Sequence, residues 1–347
     1  MKVSTRLNSA ALALSASIAV LSGCSGSQAP FTPAASAPQS LMPPNVSTPG
    51  EALYVASSTG CSFILHSTCH ALVSVYSYPD GAYKGEWKES SGVDTTSRAG
   101  EACADNLGHV FVTYTAASGK ILEFAHGGAT PIATLGDPKG NPEACSVDAA
   151  SGNLAVVTAM PDGSSTLLVY RNGSGRPAIA YSDARLTFTH VGYDNKGNAY
   201  VDGPTGLAVL RAGGDSFQSI PLDRKIVSFG SLQWDGNDIA ITDIGADAIY
   251  RFAIKENAGG GLGGKLVGYT TLIDRSNGNR SQNLRFTQTW IANNNVVAAD
   301  EAGGACDFKC AGSVNAWHYP QGGKAFKNIG GGRSFTNPSG VAVSVGL

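Results

Sequence analysis

Asn141-Pro142-Glu143-Ala144-Cys145-Ser146-Val147-Asp148, then Ser151-Gly152-Asn153, then Leu154-Ala155-Val156-Val157-Thr158 read as an apolar run, a polar turn and a second apolar run. Short runs rich in Val and bounded by Asp, Gly and Asn form antiparallel strands joined by a tight turn. The unit recurs. Glu101-Ala102-Cys103-Ala104-Asp105 leads through Leu107-Gly108-His109 into Val110-Phe111-Val112-Thr113. Val191-Gly192-Tyr193-Asp194 leads through Lys196-Gly197-Asn198 into Ala199-Tyr200-Val201-Asp202, and Leu232-Gln233-Trp234-Asp235 through Gly236-Asn237 into Asp238-Ile239-Ala240-Ile241-Thr242-Asp243.

A third strand belongs to each unit: Leu72 to Tyr76, Lys120 to Phe124, Leu167 to Tyr170, Leu207 to Leu210, Ala248 to Phe252 and Val314 to Trp317. Their aromatic or leucine anchors fall at 76, 124, 170, 210, 252 and 317, in steps of 48, 46, 40, 42 and 65. Four strands per 40–50 residues is the blade period of a β-propeller. The long last step reads as an insertion around Gly259-Gly260-Gly261-Leu262-Gly263-Gly264. Asn337-Pro338-Ser339-Gly340-Val341-Ala342-Val343-Ser344 opens a unit that the chain does not continue, whereas Glu51-Ala52-Leu53-Tyr54-Val55-Ala56 is a second strand lacking a first. Joined, they complete one blade and remove two sheet edges. The expected fold is therefore all-β, a six-bladed β-propeller over residues 51–347 with the N- and C-terminal strands closing one blade.

Val191 to Asp202 and Ile239 to Phe252, the latter with Thr242-Asp243-Ile244-Gly245-Ala246-Asp247-Ala248-Ile249, resemble NHL-type and SMP-30-like propeller repeats. The resemblance implies the fold over residues 51–347 but no single function. For the SMP-30-like branch it implies a metal-dependent lactonase with acidic and asparagine ligands at the channel mouth. This chain departs from that pattern, because no other unit places an Asn or Asp where the family requires one.

Ahead of the repeats, Met1-Lys2-Val3-Ser4-Thr5-Arg6 is basic, Leu7 to Val20 is apolar, and Leu21-Ser22-Gly23-Cys24 follows. This is the layout of a secretory signal, with an apolar stretch too short to span a bilayer comfortably. The last four residues resemble the bacterial lipobox. The resemblance implies cleavage after Gly23 and acylation of Cys24, palmitate included, which anchors a protein durably when several chains are attached. Ser25 stands where a retention signal would place Asp, so the expected address is the cell envelope, and the outer membrane in a cell that has one. Residues 24–50 hold six prolines among Ser, Ala, Gln and Thr, a composition that cannot offset its ordering entropy and reads as a flexible tether.

Residues 1–23 carry Lys2 and Arg6 and no acidic side chain, so their removal takes the formal charge from −2 to −4. With no basic stripe, nucleic acid is not an expected partner. The expected form is a monomer.

Six cysteines remain beside Cys24, an even number in an exported chain, where disulfides persist. Cys61 and Cys69 share one loop and Cys306 and Cys310 another, so each pair is expected to staple its own loop; a four-cysteine zinc site joining the loops is the alternative, without the usual two-residue spacing. Cys103 and Cys145 remain, each in Glu-Ala-Cys. Strictly equivalent positions would face the same way around the ring, but their spacings to the following Asp differ, so a bridge and two buried thiols both stay open.

The repeated Asp105, Asp148, Asp194 and Asp235 read as turn residues accepting backbone hydrogen bonds, and Asp202, Asp243 and Asp300 receive the same reading. A ligand site on this fold would sit where the first strands begin, among Glu101, Glu143, His190, Ser231 and Arg285. Two carboxylates and an imidazole there could hold a divalent metal. His66, His70, His126 and His318 show no ligand spacing, and no Gly-x-Ser-x-Gly, phosphate-binding loop or His-Glu-x-x-His occurs. The expectation is a tethered binding module for a protein, glycan or small molecule, with no catalytic residue assigned and no cofactor. A metal-dependent lactonase, other hydrolase or lyase using Glu101, Glu143 and His190 is the alternative.

Overall fold

A computed structural model describes residues 50–59, 70–89, 98–115, 119–273, 286–301, 311–330 and 335–346. Within them every blade is an antiparallel sheet read outward from a central channel. Blade 1 runs Pro338–Ser344, Ala52–Thr59, His70–Ser77, Tyr83–Lys88, so the C-terminal strand is its innermost member. Val341 lies opposite Val55 and Ser344 opposite Ala52. The expected closure is the one observed.

Blades 2 to 6 begin with the inner strands Arg98–Ala104, Asn141–Val147, His190–Tyr193, Phe229–Trp234 and Phe286–Ala292. Adjacent inner strands touch all the way around the ring. Second strands such as Val110–Thr115, Leu154–Ala159 and Ile239–Asp243 are apolar and buried on both faces, because each blade packs against a neighbour on either side. Six apolar clusters result, one at each blade interface. The largest buried rings, including Trp317, Tyr54, Tyr170 and Phe252, sit in them. Burial of such side chains stabilises by about 1.5–3 kcal/mol each, and the cores lie between blades rather than along the axis.

The glycine-rich segment differs from its expected form. Ala248–Glu256 and Leu262–Ile273 pair from Thr271 to Leu262, so Gly259 to Gly261 form the tip of an extended hairpin between the third and outer strands of blade 5. Leu262 and Leu266 on this extension pack against the blade 4–blade 5 core. The outer strand of blade 6 is in turn short, Lys327–Asn328, and Gly323–Lys324 pairs in parallel with the end of blade 5's outer strand.

Candidate functional site

Inner strands approach one another more closely than side chains allow, and glycine makes this feasible. A Cβ on Gly340 would lie 2.5 Å from the Gly100 carbonyl, and one on Gly100 would lie 2.8 Å from the Glu143 carbonyl. Near the start of the inner strands the register also shifts, at Gly100–Glu101, at Glu143, at Gly230–Ser231 and at Thr287. An extra residue at a bulge is freed from the ladder and its side chain re-aimed. Two of those residues are Glu101 and Glu143. The Thr113 hydroxyl ties their bulges together, donating to the carbonyls of Glu101 (3.1 Å) and Glu143 (2.9 Å).

His190 opens the inner strand of blade 4 and lies directly opposite Asp202 in the ladder. Its Nδ1 is 2.9 Å from Asp202 Oδ1 and 2.9 Å from Thr189 Oγ1. Its Nε2 points to Glu101 Oε1 at 3.6 Å, reaching past blade 3 to blade 2. The structure thus brings Glu101 and His190 together, with Glu143 close enough to act electrostatically on both. Asp202 is the participant that sequence reasoning missed. It is fully buried, pairs with an imidazole, and does not serve a turn. The signal was present: a hairpin centred on the Asp194 to Asn198 turn sets residue 202 opposite residue 190.

Burial raises the Glu101 carboxyl to about 8, His190 opposing and Asp202 and Glu143 adding to the rise. Burial alone would lower His190, but Glu101, Asp202 and Glu143 together lift it to about 9. Asp202 and Glu143 are both raised by burial against the pull of His190. The cluster thus favours the protonated forms of both His190 and Glu101. Glu101 Oε1 and Asp202 Oδ2 are buried without a hydrogen-bond partner, a condition that costs about 1–3 kcal/mol per group when nothing occupies it.

Below this mouth the channel is filled. Gln288 donates from Nε2 to the Ala102 carbonyl (2.7 Å) and accepts at Oε1 from the amides of Ala102 (2.9 Å) and Val341 (2.8 Å). Two residues further along, Trp290 packs against the cores between blades 6 and 1, 1 and 2, and 2 and 3.

Other expected site residues fall elsewhere. Ser231 is buried in a hydroxyl network with Thr242 and Thr289. Asp105, Asp148, Asp194 and Asp235 accept backbone amides at their turns, as does Asp243. Cys103 and Cys145 are bonded, with Cα atoms 5.8 Å apart, linking the inner strands of blades 2 and 3. Cys24, Cys61, Cys69, Cys306, Cys310 and Arg285 lie outside the described residues. Among the described residues no group of three His, Cys, Asp or Glu side chains is placed to hold a metal ion; His190 spends Nδ1 on Asp202, and its Nε2 faces one carboxyl. The donor set does not fit the metal that the SMP-30-like resemblance implies.

No family model matches the chain, and no curated protein matches it. Solved structures do. A protein of unknown function from Bacteroides caccae superposes with a TM-score of 0.57 at 13% identity, covering 85% of this chain and 99% of that one. A chain of a nidogen/laminin complex gives 0.55 at 12% identity over 85% and 98%. The β-propeller domain of Cps50 (Swd1) from Myceliophteria thermophila gives 0.48 at 10% identity over 80% and 87%. At these identities the likeness is one of fold: the chain is a six-bladed β-propeller.

Proposed function

We propose that this chain is an envelope lipoprotein whose propeller is a binding module, with the channel mouth around Glu101 as its ligand site. The observation that carries this reading is the pair of buried carboxyl oxygens without a hydrogen-bond partner, Glu101 Oε1 and Asp202 Oδ2. Buried polar atoms left without partners are what a ligand's polar groups satisfy. Binding is favoured over catalysis by the wiring of His190. In a nucleophile-activating triad the hydroxyl and the carboxylate engage opposite ring nitrogens, whereas Thr189 and Asp202 both engage Nδ1. The imidazole cannot pass a proton between them. One fold neighbour comes from a nidogen/laminin complex, which is in keeping with an interaction role.

The anchor follows from the signal-like residues 1–23 and Cys24. Ala52 lies opposite Ser344, the last residue of its inner strand, while Glu101 and His190 lie near the start of theirs.

Two measurements test the reading. Purified propeller is expected to turn over no member of an ester and lactone panel; turnover that Glu143→Ala abolishes would replace the binding module by a hydrolase. Cys24→Ser is expected to move the protein from the membrane fraction to the soluble one, and unchanged membrane retention would remove the lipid anchor.

A further inference from the structure

We propose that a cavity between blades 4 and 5, at the opposite end of the strands from the channel mouth, binds a small carboxylate with an apolar body. The cavity measures about 230 Å³. Tyr200 and Val209 line it from blade 4; they lie opposite each other on the second and third strands, so both face the same way. Ile254, Glu256 and Leu262 line it from blade 5. Ile254 and Glu256 are two residues apart on one strand and Leu262 lies opposite Glu256, so these three share a face. All three belong to the part of the hairpin that extends past Phe252. That extension is tied down: the Gly264 amide donates to the Pro221 carbonyl (2.9 Å), and the Gly264 carbonyl accepts the Asp223 amide (3.0 Å). The inserted segment thus builds a fixed wall of a cavity below the roughly 300–1,000 Å³ of pockets for drug-sized ligands.

The polar lining selects an anion. Asp194 is saturated: Oδ1 accepts the backbone amides of Lys196 (2.8 Å) and Asn198 (2.9 Å), and Oδ2 accepts Asn198 Nδ2 (2.8 Å) and the Tyr200 hydroxyl (3.4 Å). Asn198 is spent too, since its Oδ1 accepts the Ala212 amide (3.0 Å). The uncommitted groups are donors. Lys196 is exposed and has no ion pair among the described residues. Arg211 uses one nitrogen, Nη2, on Glu256 Oε1 at 3.2 Å, and the two side chains are 52% and 68% exposed. This pair runs from blade 4 to the extension, so Glu256 itself shows how a carboxylate meets Arg211. An exposed pair contributes little to stability. A ligand's carboxylate can therefore take the place of Glu256, with Lys196 as second donor, and lay its apolar body on Val209, Ile254 and Leu262.

The experiment titrates the purified chain with benzoate by calorimetry, with benzyl alcohol and benzylamine as neutral and cationic counterparts and phenyl phosphate as a second anion. Benzoate is expected to bind about tenfold or more tightly than benzyl alcohol, the scale of one charge-assisted hydrogen bond. Phenyl phosphate, which brings up to two charges toward Asp194 and Glu256, should bind more weakly than benzoate. Lys196→Gln should weaken benzoate by about threefold, the scale of an exposed charge contact. Glu256→Gln should tighten it by a similar factor, because it removes a competing carboxylate and a like charge. Lys225→Gln, which removes an exposed charge that does not line the cavity, should change nothing. All three side chains are exposed, so the variants should melt with the parent chain, and misfolding cannot produce a gain beside a loss. Benzyl alcohol or benzylamine bound as tightly as benzoate, or no benzoate binding at millimolar concentration, overturns the proposal. So does phenyl phosphate bound more tightly, which would make the site one for phosphate. Benzoate binding that Lys196→Gln and Glu256→Gln leave unmoved, or that Lys225→Gln weakens equally, overturns the cavity as its site.

Discussion

Asp202 and Asp243 occupy the same place in adjacent blades, at the end of the second strand, and perform different work. Asp243 lies opposite Phe229, which offers no side-chain donor, and its carboxylate accepts the amides of Val227, Ser228 and Gly245. Asp202 lies opposite His190 and is drawn into an ion pair with it. One cross-strand partner decides between a turn residue and a member of the site. The protonation of the cluster has a measurable consequence. Glu101 at about 8 and His190 at about 9 both lie above their ordinary values of 4.5 and 6.5, so the folded protein keeps protons that the unfolded chain has released. Stability from these groups is intact at low pH and is lost as pH rises through 8 and 9. The melting temperature is therefore expected to fall by a few degrees between pH 6 and pH 9. Glu101→Gln, neutral throughout, should flatten the decline, and an equally steep decline in that variant would remove Glu101 from the account.

At the scale of strands, the Cys103–Cys145 bridge turns on an offset of one residue. Val110 and Leu154 are equivalent, since each pairs with the anchor of its third strand, Phe124 or Tyr170. Across from them stand Ala104 and Val147, which makes Cys103 the counterpart of Ser146 and Ala102 the counterpart of Cys145. Successive residues of a strand face opposite sides. Cys103 therefore faces blade 3 and Cys145 faces back toward blade 2, while Ser146 faces forward and accepts the Tyr193 amide of blade 4. The bridge spans a sequence separation of 42 residues. Replacing both cysteines by alanine is expected to cost about 2–4 kcal/mol, measured by urea unfolding under oxidising conditions. A loss below about 0.5 kcal/mol would mean that the inter-blade core alone holds these strands, a magnitude typical of surface changes.

For the molecule as a whole, closure is the decisive contact. The ring is held by Pro338–Ser344 pairing with Ala52–Thr59, and it is fastened to blade 2 by Tyr54, whose hydroxyl donates to the Ala125 and Gly128 carbonyls, and by Ser344, which donates to Gly108 and lies 2.7 Å from His126 Nδ1. Ending the chain after Asn337 would expose the edge of Ala52–Thr59 and uncover two apolar clusters. Such a truncation is expected to aggregate and lose its cooperative melting transition; a soluble, cooperatively folded product would show that five complete blades suffice. The six blades, the turn aspartates and the closing strand were all readable in the chain, because strand alternation and turn chemistry are written in windows of a few residues, and a repeat multiplies the signal. The glycine-rich stretch was readable as an irregularity but not as a hairpin tip, since its partner strand is recognised only once paired. The meeting of Glu101 in blade 2 with His190 and Asp202 in blade 4, the plugging of the channel by Gln288 and Trp290, and the facing of the two cysteines were decided by tertiary structure alone. They depend on bulges, on one-residue register offsets and on inner strands pressed together at glycine, none of which a local stretch of sequence specifies.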